Sequence, residues 1–433
     1  ARDRYITKIG GTKNVPLEPS DITLGAANAT QLTRYTINTT ALEALVSLTD
    51  EQRDTIVGIT EVPTEANEGE SSSQFASRVH GVEMSNKGKR GTIPCLIEAA
   101  QEALQFEAVY FPVYLDFRGR QYTVEYKGLG PQTTKASKAL LQFAEGRPLG
   151  QKGLWWLYHE LGNAMGFDKD LLDVKVEKAQ NIDTTDSLWF LEAEEPLKAL
   201  AIHTDITAAI QSGNPAAYVS RQIIYVDGSC NGMQHLSLMT RDTEGGEATN
   251  VIGSIEKRND LYGIVGAKFL EILEEDESIE ADYWKTYDHK DIRKVVKRGV
   301  MTLPYGVTKQ GIADQVISDG FCVTKDRSHE ATQRQAAKFK ETLWAAVDGA
   351  APKAMELRAW LIEVVDALCS EGQAPVWLTP TGTKVIKTYR KPIFNRVYIG
   401  KQETRLPSYS NTAGDVDVKK NKAAIVANLI HSF

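Results

Sequence analysis

The sequence predicts an α+β chain, mainly helical with a small amount of antiparallel sheet. Three observations carry that expectation. Apolar residues recur at helical spacing over 40–57 and 94–109, and the region 256–370 reads mainly as helix. β-branched and aromatic residues gather in two short runs, 110–126 and 221–229. A third run, 375–400, alternates enough for strands or a hairpin.

Bulk properties narrow the function. With 433 residues the chain is long enough for two to four folding units. Hydrophobic residues make up 42% and charged residues 25%, the balance of a globular protein, and no apolar run is long enough to cross a bilayer. The start, Ala1-Arg-Asp-Arg, has no signal-peptide core and no initiator methionine, so a processed, trimmed or partial chain is expected. Cys95, Cys230, Cys322 and Cys369 are far apart and form no CxxC pair, which argues for a reducing compartment and against a zinc site or a disulfide framework. The net charge of −7 excludes a general coat for nucleic acid, so any nucleic-acid binding must use local basic clusters.

In chain order, residues 1–38 read as an irregular lead-in and 40–57 as one helix. Residues 63–92 are polar and mobile-looking, and 94–109 read as a second helix. Two helices joined by a polar tip suggest an antiparallel hairpin. A β-like run follows at 110–126, then helices to about 210, a buried strand at Ile223-Ile-Tyr-Val226, the helical region 256–370, and the alternating run. Residues 401–422 read as loop.

Two clusters could carry chemistry. Asp227-Gly228-Ser229 follows directly on the apolar strand, so its carboxylate stands at the end of a rigid element, where a hard oxygen ligand could hold Mg²⁺. An Asp-Gly turn that merely ends a strand has the same pattern. In 289–306, Arg293 and Lys297 are four apart and share a helix face, and Tyr305 lies two turns further along. That face could offer a guanidinium and an ammonium to phosphate oxygens and a ring to a base or sugar. A solvated basic face is the alternative. Five basic residues within 290–298 nevertheless stand out in an acidic chain.

The motifs resemble those of the single-subunit, bacteriophage and mitochondrial type of DNA-dependent RNA polymerase. Asp227-Gly-Ser-Cys-Asn-Gly-Met-Gln-His235 resembles motif A of that family. Arg293-x3-Lys297-Arg-Gly-Val-Met-Thr-Leu-Pro-Tyr305-Gly306 resembles motif B. Phe111-Pro-Val-Tyr-Leu-Asp116-Phe-Arg118-Gly119-Arg120-x-Tyr122 resembles the upstream Asp-x-x-Gly-Arg motif. They occur in the family's order, and looser matches extend the resemblance from about residue 30 to the end. It implies a right-hand polymerase fold of thumb, palm and fingers. Residues 39–109 would be a thumb-like helical hairpin, 110–248 the first half of the palm, and 249–433 the fingers, with a specificity-loop-like hairpin near 384–405. The basic residues Lys384, Lys387, Arg390, Lys391 and Arg396 of that hairpin suit DNA backbone contacts.

By the same resemblance Asp227, with the Gly228 carbonyl, is expected to hold two Mg²⁺ ions. Arg293 and Lys297 would bind the incoming triphosphate. Tyr305 would check the ribose, and His431 would sit near its 2′-OH. Lys169 and Tyr262 would line the nucleotide site, while Asp116, Arg118, Gly119 and Arg120 would hold the template–RNA hybrid. The reaction implied is attack of an RNA 3′-OH on an NTP. Its partners are a DNA template, nascent RNA and NTPs, with no membrane, in the host-cell cytoplasm for a phage-encoded chain rather than a mitochondrial matrix. The family's His-Asp-Ser motif C, source of the second metal-binding aspartate, has no match; Asn428-Leu-Ile-His431-Ser432-Phe433 fits an earlier segment better. A second polypeptide or residues beyond these are expected to supply motif C, and likewise the family's N-terminal domain. Two other readings stay open: a non-catalytic template-binding subunit of a split polymerase, and a family-A-like DNA polymerase. The latter type carries a bulky acidic residue where this chain has Gly232.

Overall fold

The computed structural model describes residues 6–7, 19–66, 71–168, 170–253, 259–322, 329–386, 389–399, 402–408 and 414–432. The chain divides into two compact units. One comprises Ala1–Ile6, Gly25–Tyr114 and Gln121–Asp227, the other Thr7–Leu24, Leu115–Arg120 and Gly228–Phe433. The described residues are mostly helical with small antiparallel sheets, as the sequence predicts.

In the first unit, Leu45, Leu141, Leu161, Leu197, Ile202 and Ile206 lie in the buried core. Each such side chain contributes about 1.5–3 kcal/mol by leaving water. Strand Tyr35–Ile37 pairs antiparallel with Leu141–Phe143, and Arg147–Pro148 pairs with Val219–Ser220. The expected irregular lead-in instead contains the helix Asp21–Gln31 and the strand Tyr35–Ile37. Tyr35 is tied in by edge-on contact with Phe111 and stacking on Phe143, at 5.4 and 5.9 Å between ring centroids.

The single helix expected at 40–57 is two helices, Thr39–Ser47 and Asp50–Val57. The break has a local cause. Thr49 forms a capping box, its hydroxyl accepting the Gln52 N–H at 3.3 Å while Gln52 Oε1 accepts the Thr49 N–H at 2.9 Å.

A larger correction concerns 63–92. Most of this polar stretch belongs to the helix Ser72–Ala103, which begins with a second capping box at Ser71 and Gln74. The polar residues dock rather than dangle. Asn86 is 2% exposed; its side chain accepts the Thr60 N–H at 3.1 Å and donates to the Thr60 carbonyl at 2.7 Å. Arg90 grips Asp54 through two bonds of 2.7 and 2.6 Å. The helix also runs through Pro94, which costs about 3 kcal/mol in a helix interior. Burial of Ile93, Leu96, Ala99 and Ala100 in the core offsets that cost.

The second unit is built mainly from the helices Leu261–Glu274, Ile279–Lys285, His289–Thr302, Lys309–Ser318, His329–Ala350, Pro352–Ser370 and Val418–Ile430. Phe269, Trp284 and Phe339 meet at its centre with centroid separations of 4.9–6.3 Å, and the Trp284 ring N–H donates to the Gln335 carbonyl at 3.1 Å. The alternating run forms two hairpins: Val376–Leu378 with Lys384–Ile386, and Ile393–Ile399 with Gln402–Ser408. Within the loop expected at 401–422, the described residues instead include a strand at Gln402–Ser408 and the start of the helix Val418–Ile430. The 402–408 segment is polar because its hairpin is exposed, with Phe394, Tyr398 and Leu406 each more than half accessible.

Asn86→Ala leaves the Thr60 N–H and carbonyl without their partner. It should cost about 1–3 kcal/mol by urea denaturation and increase proteolytic nicking near residue 86. An unchanged denaturation midpoint would show that the docking contributes nothing.

Candidate functional site

The hairpin strands Val113–Leu115 and Gln121–Thr123 end in a tight turn. The Asp116 N–H donates to the Arg120 carbonyl at 2.9 Å, and the Gly119 N–H returns to the Asp116 carbonyl at 3.0 Å. Gly119 takes φ +84°, a left-handed conformation that favours glycine. The buried Asp116 carboxylate accepts the N–H groups of Arg118 and Arg120 at 2.9 and 3.0 Å and also holds the Arg118 guanidinium at 2.7 Å. Asp116 therefore organises the turn and restrains Arg118.

Arg120 reaches elsewhere in the second unit. Its Nε donates to the His431 carbonyl at 3.0 Å, and a second guanidinium nitrogen meets His431 Nδ1. His431 caps the C-terminus of the helix Val418–Ile430 and stacks on Tyr305, with centroids 4.8 Å apart and planes 19° apart. Two close approaches fix Tyr305. Gly306 sits at φ +82°, so near the Ala423 carbonyl oxygen that no Cβ fits there. A Cβ on Gly232 would lie 2.7 Å from the Pro304 Cβ. Gly232 belongs to the helix Asn231–Thr240, so this segment abuts the end of the tyrosine-bearing one.

The helix His289–Thr302 buries Ile292, Val295, Val296, Gly299 and Val300. Arg293 and Lys297 follow one step round from that stripe, as their spacing predicts. Arg293 forms an ion pair with Asp260, and its guanidinium carbon lies 5.8 Å from the Tyr262 ring centroid. Lys297 is exposed. Tyr262 is half-buried; its hydroxyl is pushed up to about 12, first by burial and then by Cys230 and Asp260, with Arg293 opposing the rise and Tyr305 adding to it.

The structure thus brings together Arg118, Arg120, His431 and Tyr305, and likewise Arg293 and Tyr262. Sequence reasoning missed two residues here. Asp260 caps the helix Leu261–Glu274 by accepting the Tyr262 N–H at 3.2 Å while pairing with Arg293. Its helix-start position was the available signal. His235, whose charged form is disfavoured by burial and by Arg120, stood inside the quoted motif without a role.

Asp227 belongs to the first unit and is exposed. The expected buried strand at 223–226 does not form. Ile223 and Ile224 pack partly on the core, but Val226 is 87% exposed, and among the described residues no strand pairs with this segment. Apolar β-branched residues favour extension, yet a strand also needs a ladder partner. Gly228 begins the second unit's last segment, where a Cβ would come within 2.7 Å of Gln234 Oε1. Among the described residues no group of three His, Cys, Asp or Glu could hold a metal ion. Lys169 and Lys387 lie outside the described residues. Arg390 is engaged by the Gly414 carbonyl at 2.7 Å, and Arg396 faces Arg405 across the exposed hairpin.

A guanidinium, an ammonium and a phenol beside an imidazole suit phosphate oxygens and the polar edge of a sugar. A family model described as DNA-dependent RNA polymerase matches residues 147–433. Among individual relatives, the chain is 32% identical over 360 residues to DNA-directed RNA polymerase 2, chloroplastic/mitochondrial, of Arabidopsis thaliana, covering 78% of this chain and 35% of that protein. It is 30% identical to DNA-directed RNA polymerase 1, mitochondrial, of the same plant, covering 80% and 37%. It is 29% identical to T7 RNA polymerase of Escherichia phage T7, covering 82% and 46%. The chain belongs to the DNA-dependent RNA polymerase family, in its phage and organelle branch. It spans less than half the length of these relatives.

His431 is held down at about 4, by burial first, then by Arg120, Arg118 and His235. Its folded value lies below the unfolded value of about 6.5. The stability it contributes is therefore complete above pH 6.5 and lost as pH falls from there toward 4. His159, His203 and His235 are shifted the same way, each by burial first. Melting temperature should fall between pH 7 and pH 5, and His431→Gln should shrink that fall. An identical pH dependence in the variant would contradict the shift.

Proposed function

We propose that this chain carries most of the nucleotide-handling surface of a single-subunit RNA polymerase. The reaction is template-directed nucleotidyl transfer, in which an RNA 3′-OH attacks the α-phosphate of an NTP and pyrophosphate leaves. The observation that carries the reading is the Tyr305–His431 stack, held by Arg120, at the end of the helix bearing Arg293 and Lys297. That geometry supports a triphosphate along the basic face and a ribose at the tyrosine end. Residues 39–109 are read as thumb, 110–248 as the first half of the palm and 249–433 as fingers. The DNA-contacting hairpin expected near 384–405 is read as the pair Ile393–Ile399 and Gln402–Ser408, since Lys384–Ile386 belongs to a separate hairpin.

Lys297 and Arg293 offset charge on the triphosphate and on the leaving pyrophosphate. Because Arg293 is paired with Asp260, its guanidinium is held beside Tyr262, and Lys297 is exposed. With Nδ1 accepting from the Arg120 guanidinium, a neutral His431 carries its proton on Nε2 and offers that N–H as a donor, which suits the oxygen of a ribose hydroxyl. Tyr305 offers its hydroxyl to the sugar. Asp227 is an exposed hard-oxygen donor, and Mg²⁺ is commonly bound by one or two carboxylates plus substrate phosphates. The donor set fits in part: Asp227 and the Gly228 carbonyl would hold the ions, with the second carboxylate supplied from sequence outside these residues, on the same polypeptide or another. When bound, two Mg²⁺ ions would supply Lewis-acid stabilisation of the attacking and leaving oxygens.

Ribonucleotides are favoured over deoxyribonucleotides on one observation. A DNA polymerase of the similar type places a bulky acidic residue at the ribose, whereas at Gly232 even a Cβ would overlap Pro304.

In the complete polymerase, Asp227→Asn should lower kcat by about a thousandfold, several kcal/mol of barrier, while template binding is unchanged. Substantial remaining RNA synthesis would point instead to a template-binding subunit. Tyr305→Phe removes one hydroxyl and should weaken rNTP over dNTP discrimination by roughly 10- to 100-fold in kcat/KM, with a smaller change in rate. Unchanged discrimination would remove Tyr305 from the sugar.

A further inference from the structure

Among the described residues the segment ending in Asp227 has no neighbouring strand, and its extended path is met there by side-chain and loop contacts. The Gln222 side chain donates to the Ala201 carbonyl at 3.1 Å, and the Arg221 carbonyl accepts the Phe143 N–H at 2.9 Å. Closer to Asp227, the Tyr225 N–H donates to Glu160 Oε1 at 3.3 Å. Among the described residues no backbone carbonyl takes that N–H.

Glu160 lies on the helix Gly153–Ala164 and is 0% exposed. It forms an ion pair with Lys198, 8% exposed, on the helix Pro196–Gln211. Its second oxygen accepts the Asn163 side-chain N–H at 2.9 Å. Asn163 in turn accepts from Lys175 at 2.6 Å, and Lys175 Nζ stands 3.2 Å from His159 Nε2. The Lys175 stem fits there because a Cβ at Gly162 would overlap it. The Tyr225 ring completes the cluster, with the ammonium groups of Lys138 and Lys198 each 5.0 Å from its centroid. The Tyr225 hydroxyl is buried without a hydrogen-bond partner among the described residues.

A buried ion pair is a poor way to gain stability alone, because desolvating each ion costs several kcal/mol and apolar side chains of similar volume do as well or better. This pair does something an apolar pair cannot: it presents a fixed acceptor to one peptide N–H, two residues before Asp227. We propose that Glu160, oriented by Lys198, is a positioning residue for Asp227, fixing the Tyr225 peptide so that the exposed carboxylate is delivered in one place. The proposal rests on the reading of Asp227 as a metal ligand. Misplacing a reacting group by about 1 Å can cost on the order of a hundredfold in rate, so a single lost anchor is measurable.

The test compares two double variants in the complete polymerase, both stripped of the Glu160 and Lys198 charges. Glu160→Gln with Lys198→Met keeps a carbonyl oxygen for the Tyr225 N–H. Glu160→Leu with Lys198→Met removes it. The first should retain kcat within about threefold. The second should lose roughly 10- to 100-fold in kcat and need more Mg²⁺ for half-maximal rate, with KM for NTP changed less than about twofold and template binding intact. Equal kcat in the two, or a loss matched by loss of template binding, overturns the positioning role. Asp227→Asn, assayed alongside, separates the two levels. If it abolishes synthesis while the double variants agree, only the positioning role falls. If it still makes RNA, the reading of Asp227 falls and this proposal falls with it.

Discussion

The helix His289–Thr302 can bury only one stripe. Ile292, Val295, Val296 and Val300 occupy it, and Gly299 is needed because a Cβ there would overlap Leu343 of the neighbouring helix. With 3.6 residues per turn, that burial fixes the rotation of the helix about its axis. Arg293 and Lys297 are then carried to the stripe's edge, and Tyr305 emerges just past the helix end. The rest of the candidate site depends on this rotation. Asp260 can pair with Arg293, and Tyr305 can meet His431, only while the valine stripe stays in the core. The hydrophobic effect positions the polar groups, although it contributes nothing to their chemistry.

Charge is handled locally around that frame. Asp116 spends its carboxylate on a tight turn and on Arg118, which leaves Arg120 to reach His431. Two arginines and burial then keep the imidazole neutral. In the first unit the opposite solution appears. Glu160 and Lys198 are both buried and paired, and the carboxylate also accepts from the neighbouring Asn163 and from the Tyr225 N–H. Both arrangements convert a costly desolvated charge into a directional constraint on a neighbouring segment.

The motif residues were legible because their spacing encodes a face. Arg293 and Lys297 repeat at a helical interval and their apolar neighbours at the complementary ones, whereas Tyr305 lies in the turn past the helix end, so helical spacing does not place it. Helix boundaries were less legible. Thr49 and Ser71 begin capping boxes that were present in the sequence as Thr-x-x-Gln and Ser-x-x-Gln, yet composition pointed to one continuous helix and to a mobile polar stretch. Asn86 and Arg90 look like solvent-facing residues until Thr60 and Asp54 are brought beside them. The run Ile223-Ile-Tyr-Val226 shows the converse limit: its residues favour a strand, but pairing is a property of two segments.

By itself, then, the sequence determined the local periodicities, the family to which the chain belongs, and the residue types on the basic face. Those depend on residues a few positions apart or on motif order. Tertiary structure alone decided that Arg120 serves His431, that Arg293 is shared with Asp260, and that Glu160 reaches the Tyr225 peptide. These partners are separated by 311, 33 and 65 residues. No local pattern encodes such distances, because they arise only when the burial of separate apolar stripes brings distant segments together.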